Sequence, residues 1–279
     1  MTRVVTLLTD FGLADPYVAE LKASLLREWG RFPDPGPLPL LIDVSHALRP
    51  GDVAGAAWLL GRVAPEFPAG TVHLAVVDPG VGTDRPAVAV AAGGQLFVGP
   101  GNGLFAHLAR GEPIDVVRLD NPLYYRGRDG GPAPTFHGRD LFAPVAAQLA
   151  LGVPLRQVGS PAGAEALGAV AGNPGGGAGD AERGAGELLG RIVWIDRFGN
   201  AITDVSRDGP WGGRLAGGAE VRVGAAAAAG PVLTYAAGPA ERPFWYWGSG
   251  GTLELARRDG DAAARHGWQV GMAVRRSAP

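Results

Sequence analysis

The sequence predicts an α/β N-terminal domain with a largely parallel sheet, followed by a smaller, mainly β C-terminal domain. Three observations predict it. Short β-branched runs alternate with helix-period segments over the first half of the chain. The early apolar runs end in an acidic residue. The last third breaks into short apolar runs separated by Gly and Pro turns.

Val4 to Leu8 reads as a strand ending in Thr9-Asp10-Phe11-Gly12. A helix follows over Pro16 to Trp29, with Val18, Leu21, Leu25 and Leu26 on one face. Leu38 to Val44 reads as a strand, Asp52 to Val63 as a helix and Val72 to Val77 as a strand. Ala87 to Ala92 and Gln95 to Val98 form a strand pair, and Phe142 to Leu151 is a helix. Asp10, Asp43 and Asp78 close three of these strands, at the sheet edge where open α/β folds bind ligands. From Pro161 to Gly186 the chain is rich in Gly and Ala with little periodicity, which predicts a flexible linker or surface loop. Gly190 to Ile195, Ala219 to Val223, Val232 to Ala236 and Thr252 to Leu255 then read as short strands. The expected domains are therefore 1–162 and 187–279, joined by 163–186.

With 279 residues, 46% of them apolar, the chain has ample material for packed cores. Its net charge of −2 and lack of any basic run argue against a nucleic-acid partner. No stretch is apolar over the ~20 residues that span a bilayer, and the apolar run at the N-terminus is too short for a signal sequence. There is no cysteine, which excludes disulfides, thiolate metal sites and a cysteine nucleophile, and fits a cytoplasmic protein. Phosphate-loop, His-Glu-x-x-His, Gly-x-Ser-x-Gly and dinucleotide fingerprints are all missing.

Several segments carry side chains able to do chemistry. Asp10 and Asp15 follow the first strand, where carboxylates bind ribose hydroxyls or an ammonium group, or else cap turns. Asp43-Val44-Ser45-His46 reads better as capping and packing than as a ligand set. Asp78-Pro79-Gly80-Val81-Gly82-Thr83-Asp84-Arg85 is a Gly-rich turn flanked by an acid and a base, either a ligand loop or a tight turn with an ion pair. Gly99-Pro100-Gly101-Asn102-Gly103 is a compact turn whose N–H groups are free to face a ligand. His137-Gly138-Arg139-Asp140 precedes a helix, with the imidazole as the candidate reactive group and Asp140 as cap or partner of Arg139. Asp196-Arg197-Phe198-Gly199-Asn200 combines a carboxylate, an aromatic ring and an amide. Phe244-Trp245-Tyr246-Trp247 is either a stacking wall for an adenine or core.

Taken in order, Leu8-Thr9-Asp10-Phe11-Gly12, Asp43-Val44-Ser45-His46, Val77-Asp78-Pro79-Gly80-Val81-Gly82, Gly99 to Gly103, Thr135 to Asp140 and Asp196 to Asn200 resemble the S-adenosylmethionine (SAM) hydroxide adenosyltransferase family, relatives of the fluorinating and chlorinating enzymes. The resemblance implies an α/β domain with a barrel-like β domain, and a homotrimer with active sites between subunits. It implies SAM as substrate and adenosine and methionine as products. Hydrolytic members use an Asp, an Arg and a His that match Asp78, Arg85 and His137. The ribose-binding Asp matches Asp10, and further substrate contacts map onto Asp15, Asp196, Phe198, Asn200, Ser249, Glu254, Ala256 and Arg257. Asp204 departs from the family, where Asn is commoner. No metal or other cofactor is implied. The implied reaction is attack of one activated water on ribose C5′, with methionine leaving as a neutral thioether. The alternatives are a halide-transferring enzyme on the same fold, a non-catalytic adenosine- or SAM-binding module, and a metal hydrolase built on Asp10, Asp43, Asp78 and His137.

Overall fold

The first strand, β1 (Val4–Thr9), is apolar on both faces, with Val5, Leu7 and Leu8 buried. A strand of that kind belongs inside a parallel sheet covered on both sides. In chain order it is followed by α1 (Tyr17–Trp29), β2 (Leu40–Ser45), α2 (Val53–Val63), β3 (Val72–Val76), β4 (Ala87–Ala92), β5 (Gln95–Pro100), β6 (Asp115–Arg118), α3 (Ala143–Ala150) and β7 (Ser160–Ala162). The computed structural model describes residues 3–110, 113–126, 131–169 and 186–277, and the chain splits into two compact units, 1–171 and 172–279.

In the first unit the seven strands run β2-β1-β3-β5-β4-β6-β7. The β2-β1, β1-β3 and β3-β5 pairs are parallel; the β5-β4, β4-β6 and β6-β7 pairs are antiparallel. α1 buries Val18, Leu21, Leu25 and Trp29, and Leu21, Leu25 and Trp29 join the cluster that holds Phe142, Val145 and Ala146 beside α3. A truncation such as Leu25→Ala in that cluster costs about 2–5 kcal/mol. Asp52 caps α2 by accepting from Gly55 N at 2.8 Å, the bland role expected at that position.

The second unit comprises β8 (Glu187–Ile195), β9 (Ala201–Ser206), β10 (Ala219–Val223), β11 (Ala226–Gly230), β12 (Phe244–Trp247), β13 (Thr252–Ala256) and β14 (Ala273–Arg276). They close into a barrel in the order β10-β11-β12-β13-β9-β8-β14, which leaves no unpaired edge. Its core includes Ile192, Val205, Val221, Ala228, Trp245, Leu253 and Leu255. Asp204 accepts a hydrogen bond from Arg191 N at 2.7 Å, beside the irregular β8-β9 pairing, and burial pushes its carboxyl pKa up.

Two expectations need correction. The strand predicted at Val232 to Ala236 is not formed: Tyr235–Ala237 is a 3₁₀ turn capped by Thr234, and the strand lies at Ala226–Gly230. Its alanines have weak β propensity, so tertiary pairing with β10 and β12 decides that segment rather than local preference. Residues 163–169, expected to open a linker, instead carry a 3₁₀ turn over Ala164–Leu167 with Ala166 and Leu167 buried. The remainder of the stretch, 170–185, lies outside the described residues.

Buried Thr6 Oγ1 on β1 and His73 Nδ1 on β3 are hydrogen-bonded at 2.8 Å, and His73 stacks on Phe97 at 4.8 Å between centroids. Burial pushes the His73 pKa down from 6.5 to about 4. The unfolded chain therefore binds this proton before the folded one does, so the stability is full above pH 6.5 and is lost as pH falls toward 4, by roughly 3 kcal/mol at most. Urea unfolding of the protein and of His73→Gln between pH 7 and pH 4 checks this, with the steeper acid loss expected in the unsubstituted protein.

Candidate active site

β1 and β3 are parallel neighbours, so Asp10 and Asp78, which follow them, emerge at the same edge of the sheet. Asp78 opens the loop that ends at Arg85. Arg85 Nε donates to Asp78 Oδ1 at 2.9 Å, and Arg85 Nη2 donates to Asp78 Oδ2, a two-pronged pair. Both side chains are almost enclosed, at 6% exposure for Asp78 and 10% for Arg85. The guanidinium also lies over the Phe142 ring, 5.4 Å from its centroid.

His137 enters from the π-turn at Gly138–Phe142, where Ala143 N–H bonds back to the Gly138 carbonyl. Single π-turns of this kind recur at functional sites. Arg85 Nη2 lies 2.8 Å from His137 Nδ1. A guanidinium has donors only, so Nδ1 must accept, and the neutral ring carries its proton on Nε2. Burial first, and then the Arg85 charge, lower the His137 pKa, against the opposing pull of Asp78 and Asp140.

These groups border a cavity of about 370 Å³ lined by Asp10, Phe11, Gly51, Asp78, Phe136 and His137 among others, a size that suits a small organic ligand. Asp10 Oδ2 accepts from Gly51 N at 2.7 Å. Phe11 and Phe136, which line the cavity, meet edge to face at 5.7 Å between centroids, and Tyr17 packs against both rings. Of the Phe244 to Trp247 run, which the sequence leaves open as a stacking wall or core, Phe244 and Trp245 are fully buried and Trp245 joins the barrel core. Phe11 and Phe136 were legible only as neighbours of Asp10 and His137.

Asp43 and His46 take the structural roles expected of them. Lys22 Nζ donates to Asp43 Oδ2 at 2.6 Å, His46 Nε2 lies 3.1 Å from Asp43 Oδ1, and His46 Nδ1 meets Thr9 Oγ1 at 2.7 Å. Arg139 forks onto Asp140 at 2.7 and 2.9 Å and reaches Glu20 at 3.0 Å, so Asp140 acts as an ion-pair partner, not a helix cap. Among the described residues no three His, Asp or Glu side chains converge as a metal-ligand set. Asp15 is exposed and does not line the cavity.

In the barrel unit, Asp196 Oδ1 accepts from Phe198 N and Asn200 N, and its Oδ2 from Asn200 Nδ2, all at 2.9 Å. This turn projects Phe198 at 74% exposure while Asn200 is only 7% exposed, its Oδ1 buried without a protein partner. β9 starts beside Leu255, so the turn neighbours Ala256 and Arg257 at the end of β13. Glu254 accepts from Tyr246 Oη at 2.8 Å. Ser249 sits in the β12-β13 turn, at the opposite end of β13 from Arg257.

The SAM hydroxide adenosyltransferase N-terminal and C-terminal domain models match residues 5–159 and 190–275. The chain belongs to that family. Its relatives include an (R)-S-adenosyl-L-methionine hydrolase of Thermus thermophilus, 42% identical over 98% of this chain and 99% of the relative. A fluorinase of Actinopolyspora mzabensis is 26% identical over 98% and 96% of the two chains. Among solved structures, an uncharacterized conserved protein from Thermotoga maritima superposes with a TM-score of 0.80 at 29% identity, covering 98% of this chain and all of that one. The family's two domains thus coincide with the α/β unit and the closed barrel.

Removing one member of the enclosed pair strands the other. Arg85→Ala is expected to cost about 3 kcal/mol of unfolding free energy, and far less when made on top of Asp78→Ala. A double-mutant cycle by urea denaturation checks it; additive losses would contradict the coupling.

Proposed function

We propose that this chain hydrolyses S-adenosyl-L-methionine to adenosine and L-methionine. The observation that carries the reading is the hydrogen-bonded Asp78, Arg85 and His137 set beside a nucleoside-sized cavity. The full-length likeness to a named hydrolase supports it, and the likeness to a fluorinase is more distant.

In this reading the attacking water gives one O–H to Asp78 and accepts from His137 Nε2–H, which leaves a lone pair for ribose C5′. The new C–O bond forms as the C–S bond breaks, and the bonding electrons pass to sulfur. Methionine leaves as a neutral thioether, so no general acid is needed, and one water proton is released. Arg85 fixes the Asp78 carboxylate and the tautomer of His137. The catalytic task is then the orientation of one water. Asp10 holds the ribose hydroxyls, and the Asp196 to Asn200 turn with Asp15, Ser249, Glu254, Ala256 and Arg257 supplies the methionine and adenine contacts. The reading extends to a cytoplasmic homotrimer in which a neighbouring subunit completes each site, and to a reaction without metal or other cofactor. The lack of cysteine suits a reducing compartment, and the exposed Phe198 suits a covered position.

Incubation with SAM in oxygen-18 water is expected to give labelled adenosine by mass spectrometry. Asp78→Ala should remove that product while adenosine binding by calorimetry persists. A 5′-halo product with chloride or fluoride, or loss of rate with a chelator, would refute the assignment. Light scattering should return three times the 28.6 kDa of one chain.

A further inference from the structure

Two N–H groups of the turn Gly99-Pro100-Gly101-Asn102-Gly103 are committed to backbone carbonyls and not free to face a ligand. Gly101 N donates to the Pro86 carbonyl at 2.8 Å, and Gly103 N to the Leu167 carbonyl at 2.8 Å. Asn102 Nδ2 donates to the Val77 carbonyl at 2.9 Å, while its Oδ1 accepts from Leu104 N at 3.3 Å. Val77 is the residue before Asp78, and Pro86 is the residue after Arg85. One turn therefore grips both ends of the loop that presents the acid and the base.

Physical necessity explains the turn's composition. β3 ends at Val76, so the sheet ladder no longer holds the Val77 carbonyl. β5, its neighbour, ends at Pro100, short of Asn102, the residue that the ladder register sets opposite this carbonyl. The Asn102 side chain supplies the missing donor. The glycines permit the close approach: a Cβ at Gly99 would lie 2.1 Å from the Ala75 carbonyl oxygen, and one at Gly101 would lie 2.1 Å from that of Ala166.

We propose that Asn102 is a positioning residue for the Asp78 and Arg85 pair: by holding the Val77 carbonyl it sets the direction in which Asp78 leaves β3 and so the alignment of Arg85 with His137. It touches none of the three side chains and acts through the loop. The proposal rests on the hydrolase reading for its consequence in turnover, but its geometric content does not.

His137 gives a readout that does not need substrate. The charged groups facing it are Arg85, Asp78 and Asp140, with the Phe142 ring 6.4 Å away, edge to face. Burial first, and then Arg85, hold the imidazole's pKa down. If the loop slackens, Arg85 retreats and water enters, so the imidazole should titrate closer to an ordinary histidine. The experiment is an NMR pH titration of the five histidines in the unsubstituted protein and in Asn102→Ala, with kcat, KM and thermal unfolding measured alongside. Asn102→Asp, which keeps the side chain's volume and removes its N–H donors, serves if the alanine variant does not fold. The expected result is a raised His137 midpoint with the other four unchanged, and kcat lowered roughly 10- to 100-fold at near-constant KM. An unchanged His137 midpoint, with only the melting temperature lowered, would overturn the proposal. If the unsubstituted protein does not hydrolyse SAM, the proposed function falls, and the His137 titration still decides the role of Asn102.

Discussion

The pairing of Asp78 with Arg85 is the constraint around which the N-terminal unit's site is organised. A carboxylate at 6% exposure is costly to keep charged unless a partner compensates it in good geometry. Arg85 meets that need with two parallel donors, and its Nη2 has a second N–H left to face His137. Because it can only donate, its contact with Nδ1 decides where the imidazole proton resides. One ion pair thus sets charge, tautomer and orientation together. Lysine in its place would offer a single point charge and could not fork.

Three separate stretches of chain must converge for this to happen: the loop after β3, the π-turn before α3, and the turn after β5. The parallel β1, β3 and β5 ladder provides the rigid platform from which they leave. The supporting polar residues are satisfied among themselves. His46 bridges Thr9 and Asp43, and Asp43 takes Lys22, so neither of these strand-end groups competes for the cavity. Asp10, by contrast, is held by the Gly51 N–H and lines the cavity.

Much of this was legible in the sequence because hydrophobic period reports burial directly. β1, α1, α2 and β3 announced themselves through runs such as Val4 to Leu8 and the Val18, Leu21, Leu25 face, within one or two residues. The order of polar motifs exposed Asp78, Arg85 and His137. What stayed hidden depended on contacts between distant residues. The alanine strand Ala226–Gly230 has no local signal and exists because the barrel closes over it. The turn after β5 advertised its conformational freedom, but not which carbonyls it would meet. The sequence shows Phe244 to Trp247 as an aromatic run and cannot say that Trp245 faces the barrel core while Phe244 is buried on the other face, against Tyr235.

The charge pattern of the cavity bears on which ligand it suits. Asp78 and Arg85 cancel, His137 is kept neutral by burial and by the guanidinium, and Asp10 is held by a backbone N–H rather than by a cation. The net field at the cavity is therefore negative, as a sulfonium substrate requires. A protonated His137 would place a second positive charge beside Arg85 and cancel that field, in a setting of low effective dielectric where the loss is felt strongly. The hydrogen bond that fixes the tautomer also opposes protonation, since a ring charged at Nδ1 would aim a proton at the donor. On the proposed hydrolysis, orientation of water and attraction of a cation both follow from the same contact, and a change that loosened Arg85 would weaken both at once.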